Sequence, residues 1–144
     1  MRIADILSHK GRAVHSVLPE LTVAEAVDRL RLDNVGALLV CDADQCIRGI
    51  VSERDIVRSL GAHGAALLTL TVADIMTRKV ATCRPDDSVA DGMARMTRGR
   101  FRHLPVVEAD KLVGLVSIGD LVKHRLHEME LETGVLRDMV IARS

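Results

Sequence analysis

The sequence predicts an α+β fold made of two β-α-β-β-α units related by a pseudo-twofold. The units are expected to pack sheet to sheet and to carry a C-terminal helical extension. Three observations predict this. The stretch Gly49-Ile-Val-Ser-Glu-Arg-Asp55 returns as Gly114-Leu-Val-Ser-Ile-Gly-Asp120. Further echoes keep the same order: Ile3-Ala-Asp-Ile-Leu7 with Val72-Ala-Asp-Ile-Met76, Pro19-x-x-Thr22-Val23 with Pro85-x-x-Ser88-Val89, and Val40-Cys-Asp-Ala-Asp44 with Val106-Val-Glu-Ala-Asp110. Within each copy, short apolar runs alternate with segments of helical period. Two copies make a pseudo-symmetric pair rather than a solenoid. Half of a 144-residue chain has too little core to stand alone.

Each element of the first copy has a local reason. Val14 to Leu18 reads as a strand stopped by Pro19. Thr22-Val-Ala-Glu25 is a capping box, and Val23, Ala26, Val27 and Leu30 then share one helix face. Val35 to Cys41 is almost wholly apolar and reads as a strand buried on both faces. Asp42 to Gln45 supplies a turn, Ile47 to Ser52 the next strand, and Glu53 to Leu60 a helix ending near Gly61 and Gly64. The second copy gives strands over Val80–Arg84, Phe101–Val107 and Leu112–Ser117. Its helices start at Ser88, with Val89, Met93 and Met96 inward, and at Ile118. Residues 65–71 are too apolar for a free linker and are expected to pack down. The tail carries Leu126, Met129, Leu136, Met139 and Val140 and is expected to break at Gly134. It reads equally as a dimer contact and as a helix closing the chain's own core. The expected divisions are 1–64, 65–125 and 126–144, with the N-terminal helix in the first.

Composition excludes several function classes. Lys+Arg and Asp+Glu are 20 each, so no net charge draws the chain to nucleic acid or an anionic membrane. With one Phe and no Trp or Tyr, there is no aromatic platform on which bases could stack. No apolar run approaches the roughly 18 residues that span a bilayer, and the N-terminus lacks a signal-peptide core. Cys41, Cys46 and Cys83 form no framework; Cys41 and Cys83 read as buried strand residues and Cys46 as exposed beside a turn. The expected setting is cytoplasmic. His124-x-x-His127 beside Glu128 offers too few ligands for a metal site. No nucleophile elbow, P-loop or His-Glu-x-x-His is present, so no catalytic residue is assigned.

Taken together, two β-α-β-β-α units with Pro-x-x-Thr/Ser-Val and Gly-h-Val-Ser-x-x-Asp resemble a tandem pair of cystathionine β-synthase (CBS) domains over about residues 3–125. With Arg102-His-Leu-Pro-Val-Val107 before the second corner, the chain is similar to the small stand-alone bacterial members. These are related to the CBS pair of inosine monophosphate dehydrogenase but lack its catalytic barrel. The resemblance implies a non-catalytic regulatory module, not an enzyme. It implies an adenine nucleotide ligand (AMP, ATP or NAD(H)) in clefts between the paired units, and no required cofactor. It also implies a homodimer that senses energy or redox state and reports it to an unknown regulated protein. Binding would act by shifting the population of the dimer between two arrangements.

The resemblance assigns the ribose diol to Asp55 and Asp120, and a carboxylate suits that diol because it accepts both hydroxyl protons. Ser52 and Ser117 lie three residues earlier at helix N-termini, where backbone N–H groups favour phosphate. Arg102 and His103 match phosphate-contacting positions of the family. The first copy has Gly36-Ala37 there and Arg54 where the second has Gly119, so the two sites are expected to be unequal. His15, Ser16 and Val17 in one site, and Ala81, Thr82 and Cys83 in the other, are the expected adenine contacts, with Gly36 on a wall. Ser-x-x-Asp is also an ordinary helix cap, and Thr22-x-x-Glu25, Thr71-x-x-Asp74 and Ser88-x-x-Asp91 read as caps alone. A ligand-free dimerisation module and a nucleotide-processing enzyme are the alternatives.

Overall fold

The computed structural model describes residues 1–11 and 14–143, with side chains for 1–11 and 14–134. In chain order the elements are α1 (Ile3–Lys10), β1 (Ser16–Val17), α2 (Val23–Asp33), β2 (Ala37–Cys41), β3 (Ile47–Ser52) and α3 (Glu53–His63). A 3-10 segment (Gly64–Thr69) follows, then α4 (Val72–Ile75), α5 (Val89–Gly99), β4 (His103–Glu108), β5 (Lys111–Ser117) and α6 (Ile118–Arg143). They divide into a central unit, Val14–Val80, and a terminal unit, Met1–Ala13 with Ala81–Ser144.

The central unit is built on a three-stranded sheet of order β1-β2-β3. Strand β2 pairs parallel with β1 and antiparallel with β3. All five residues of β2 are buried, as its unbroken apolar run requires. Val17, Ala26, Leu30, Leu38, Val40, Val51 and Val72 form the core, with Ile56, Ile75 and Met76 packed on it. Thr22 caps α2 by accepting from the Glu25 amide at 3.2 Å, and Asn34 closes it in the left-handed conformation. Helix α3 passes through Gly61 and stops at Gly64. The 3-10 segment packs down through Leu67, which is fully buried.

The terminal unit repeats the antiparallel pair as β4-β5, with His103 opposite Ser117 and Val106 opposite Gly114. Its expected first strand over 80–84 is reduced to one parallel bridge, Cys83 with Val106. The reason is local. The Arg84 amide turns away to the Asp87 carboxylate at 2.8 Å, and Pro85 has no N–H to give. Its core is Ile3, Ile6, Leu7, Cys83, Val89, Met96, Leu104, Val106, Val116 and Leu121.

Two expectations change here. The N-terminal helix α1 belongs to the core of the second repeat, not the first. Its Ile3 and Ala4 amides donate to the Asp87 and Pro85 carbonyls, each at 2.9 Å. Helix α4 does the same for the first repeat: Val23 N–H donates to Leu70 O and Val72 N–H to Leu21 O, both at 2.8 Å. Each repeat is therefore completed by the short helix that precedes the other. Gly134 does not break the tail, because α6 runs unbroken from Ile118 to Arg143. A single glycine costs a helix only about 1 kcal/mol. Leu126 and Met129 are exposed; Leu136, Met139 and Val140 fall outside the described side chains.

Candidate functional site

Each unit carries one corner, where the last strand of the antiparallel pair turns into a helix. In the central unit, register places Ala37 opposite Ser52, and the Glu53 amide donates to the Gly36 carbonyl at 3.1 Å. In the terminal unit, His103 lies opposite Ser117, and the Ile118 amide donates to the Arg102 carbonyl at 2.8 Å. The sheet thus brings Gly36 to the Ser52–Asp55 corner, and Arg102 and His103 to the Ser117–Asp120 corner. Gly36 and Ala37 thus stand at one corner where Arg102 and His103 stand at the other. Arg54 and Arg102 are exposed and form no ion pair among the described residues.

Close approach explains the glycine that opens each motif. A Cβ on Gly49 would stand 2.7 Å from the Thr77 carbonyl oxygen and 2.8 Å from Met76 Sδ. On Gly114 it would stand 2.6 Å from a Leu7 methyl carbon. The segment after α4 and the end of α1 therefore lie directly on the strands that lead into the corners.

Both Asp side chains are half-buried and fold back on their helix starts. Asp55 Oδ2 accepts from the Ser52 amide at 2.8 Å and the Ser52 hydroxyl at 3.0 Å. Asp55 Oδ1 accepts from the Thr77 hydroxyl at 3.1 Å. Asp120 Oδ2 accepts from the Ser117 amide at 2.9 Å and the Lys10 ammonium at 2.7 Å. Burial pushes the Asp120 carboxyl up, but the Lys10 hydrogen bond, the Ser117 amide and the Lys10 charge outweigh it and hold the group below its ordinary range. Asp120 is thus anionic at neutral pH and set to accept hydrogen bonds. Capping geometry is real at both corners. The plain cap Thr71–Asp74 shows the same inward bonds, at 2.9 and 3.0 Å. What sets the two corners apart is the second partner, Thr77 or Lys10.

Neither partner was among the expected residues. Thr77 and Lys10 lie just beyond the duplicated pair Ile3–Leu7 and Val72–Met76. Their signal was the polar run that continues each copy, Ser8-His-Lys10 and Thr77-Arg-Lys79.

The expected adenine contacts separate into two groups. His15 is half-exposed, with its Nδ1 3.1 Å from Asp33 Oδ2 and its carbonyl accepting from the Leu39 amide at 3.0 Å. Ser16, Ala81 and Thr82 are exposed. Val17 and Cys83 lie in the cores, 7% and 1% exposed. Cys83 also pairs both backbone groups with Pro105 and Val107, at 2.9 and 2.8 Å. Burial pushes its thiol up to about 12, with Asp87 adding to the effect and Arg95 opposing it. Cys41 is buried and Cys46 exposed. His124 packs on His9 at 5.6 Å between ring centroids. No group of three His, Cys, Asp or Glu among the described residues is arranged to hold a metal ion. No helix among them is long and apolar enough to cross a membrane.

Comparison with known proteins agrees with this architecture. The CBS domain family model matches residues 3–62 and again 72–127. A mitochondrial CBS domain-containing protein of Arabidopsis thaliana, CBSX3, is 36% identical over 134 residues, which is 88% of this chain and 65% of that protein. The crystal structure of a CBS-domain containing protein from Agrobacterium tumefaciens superposes with a TM-score of 0.85 at 42% identity, covering 87% of this chain and 99% of that one. The CBS domain pair of protein MJ0100 was solved in complex with 5′-methylthioadenosine and S-adenosyl-L-methionine. It superposes with a TM-score of 0.76 at 25% identity, over 85% of this chain and 98% of that one. With two matched copies, each ending in a Ser-x-x-Asp turn on an antiparallel pair, this chain belongs to the CBS domain family and contains a tandem pair of its units.

Proposed function

We propose that this chain is a non-catalytic regulatory module that binds adenine nucleotides through the Ser52–Asp55 and Ser117–Asp120 corners. AMP, ATP and NAD(H) are the ligands it is proposed to sense, and a regulated protein reads its occupancy. The observation that carries the proposal is the repeated corner. Twice, a half-buried carboxylate is fixed beside a helix N-terminus by a serine amide, at 2.8 and 2.9 Å. A ribose diol needs such a fixed acceptor, and the positive end of the helix dipole suits a phosphate. The adenosine ligands of the MJ0100 pair support the ligand class. Arg102, His103 and Arg54 are proposed to meet the phosphates. His15, Ala81 and the Gly36 backbone are proposed to flank the base. Occupancy then biases a conformational equilibrium by the ligand's differential affinity for its two states.

The module is proposed to act as a homodimer. Val122, Leu126 and Met129 are 40%, 54% and 49% exposed, and their i, i+4, i+7 spacing makes one apolar stripe on α6.

Calorimetry against AMP, ATP, NADH and S-adenosylmethionine, on nucleotide-stripped protein, tests the reading. At least one ligand binds, and at 100 times its dissociation constant it stabilises the fold by about 2.7 kcal/mol. The pair Asp55→Ala and Asp120→Ala together abolishes that binding while the protein stays folded. Undiminished binding in the double variant would overturn the site assignment. A second reading, a ligand-free dimerisation module, is favoured by one observation: the Asp55 carboxylate is already satisfied on both oxygens by Ser52 and Thr77. It predicts silence from all four nucleotides.

A further inference from the structure

The two corners are built alike and partnered differently. Thr77 donates a neutral hydroxyl to Asp55 Oδ1 at 3.1 Å. Lys10 donates an ammonium to Asp120 Oδ2 at 2.7 Å and to the Leu115 carbonyl at 2.9 Å. The difference comes from how two equivalent segments end. Helix α4 stops at Ile75, Met76 turns extended (φ −63°, ψ 153°), and Thr77 pairs with Ile50. Helix α1 instead winds on to Lys10, whose place in its last turn suits a cation. One more turn of helix therefore puts a lysine where the other copy puts a threonine.

A hydroxyl and an ammonium answer an incoming ribose differently. The diol must take acceptor sites on the carboxylate from the groups that hold them. At Asp55 it competes with a neutral donor. At Asp120 it competes with an ammonium, so both partners of the bond to be displaced carry charge. The displaced ammonium sits on a flexible four-carbon stem and keeps the Leu115 carbonyl as an anchor. A phosphate on the ligand gives that ammonium a new partner; a neutral nucleoside does not.

We propose that Lys10 makes the Asp120 corner selective for ribosyl ligands that carry phosphate, while the Asp55 corner, with Arg54 exposed beside it, admits neutral ribosyl ligands without displacing an ammonium. The inference rests on reading both corners as ribose sites. Arg54 does not equalise them. It is exposed, lies beside Glu53 and makes no bond to Asp55 among the described residues, so a neutral ligand breaks no ion pair there. At the terminal corner its counterpart is Gly119, and Arg102 adds a second cation near the phosphate side.

The test uses proteins with one live corner each, titrated with adenosine and AMP. In Asp55→Ala protein, AMP binds at least about tenfold tighter than adenosine, a difference of roughly 1.4 kcal/mol. Adding Lys10→Met brings the two within about threefold, by weakening AMP and strengthening adenosine. Lys10→Arg keeps the cation and restores the ratio. In Asp120→Ala protein, Lys10→Met leaves both affinities unchanged. Raising salt on Asp55→Ala protein with Lys10 intact gives an arm independent of any change at Lys10: the AMP preference shrinks as the ammonium–phosphate attraction is screened. A preference indifferent to Lys10→Met or to salt, with binding intact, would overturn the role of Lys10 alone. Absence of binding by either ligand to every protein would overturn the ribose reading and this proposal with it.

Discussion

Ile6→Ala lowers the unfolding free energy by about 2–5 kcal/mol, the range for truncating a fully buried aliphatic side chain. Ile6 is 0% exposed, and its neighbours in the core are the terminal-unit residues Val89, Met96, Leu104, Val116 and Leu121. The loss combines removed apolar burial with the cavity left among these rigid neighbours. Ser8→Ala, on the exposed side of the same helix, changes stability by no more than about 0.5 kcal/mol. Urea unfolding measures both. Hydrogen exchange of the Ile6→Ala protein adds location: protection falls in β4, β5 and α5 and holds in β2 and β3. That pattern follows only if α1 completes the second repeat. Loss of protection in β2 and β3 would return α1 to the first repeat.

Gly49→Ala costs about 1–3 kcal/mol, the range for overpacking a site that cannot relax. Its new Cβ would meet the Thr77 carbonyl oxygen at 2.7 Å. That oxygen cannot easily yield. It accepts from the Ile50 amide at 3.0 Å, and the Thr77 amide donates back to Ile50 O at 2.9 Å. Moving Thr77 also withdraws the hydroxyl that holds Asp55 Oδ1, so ligand affinity at the Asp55 corner changes with stability. Gly119→Ala is the contrast. Its Cβ would find only Ser117 Oγ at 3.6 Å, an ordinary contact, and alanine favours a helix more than glycine by up to about 1 kcal/mol. Thermal unfolding of the two variants should move in opposite directions, or Gly119→Ala should be neutral. An unshifted melting temperature for Gly49→Ala would contradict the close approach.

Much of this was legible in the sequence because it is local. The β2 run Ala37–Cys41, the β3 span Ile47–Ser52 and the Thr22 and Ser88 caps follow from apolar period and side-chain capping within a few residues. The duplicated corner was legible because it recurs. Most of what was hidden depends on partners distant in sequence. Ile3, Ile6 and Leu7 show an apolar stripe, but a stripe does not say which core it fills. The strand expected at 80–84 failed because the side chain of Asp87 captured an amide that apolar patterning assigned to a sheet. The burial of Cys83 is what its place in an apolar stretch implies. Thr77 and Lys10 fall outside the motif they serve, 22 and 110 residues from the carboxylates they meet.

The central claim is that these carboxylates read a vicinal diol. Calorimetric titration of unmodified protein with AMP and with its 2′,3′-dideoxy counterpart tests it most directly. Both carry the same base and phosphate, and only the hydroxyl donors differ. Losing hydrogen bonds to a charged acceptor costs about 3 kcal/mol in all, so the dideoxy compound should bind roughly 100-fold more weakly. Equal affinity for the two would contradict the account, because the ligand would then be held without Asp55 or Asp120 reading its ribose.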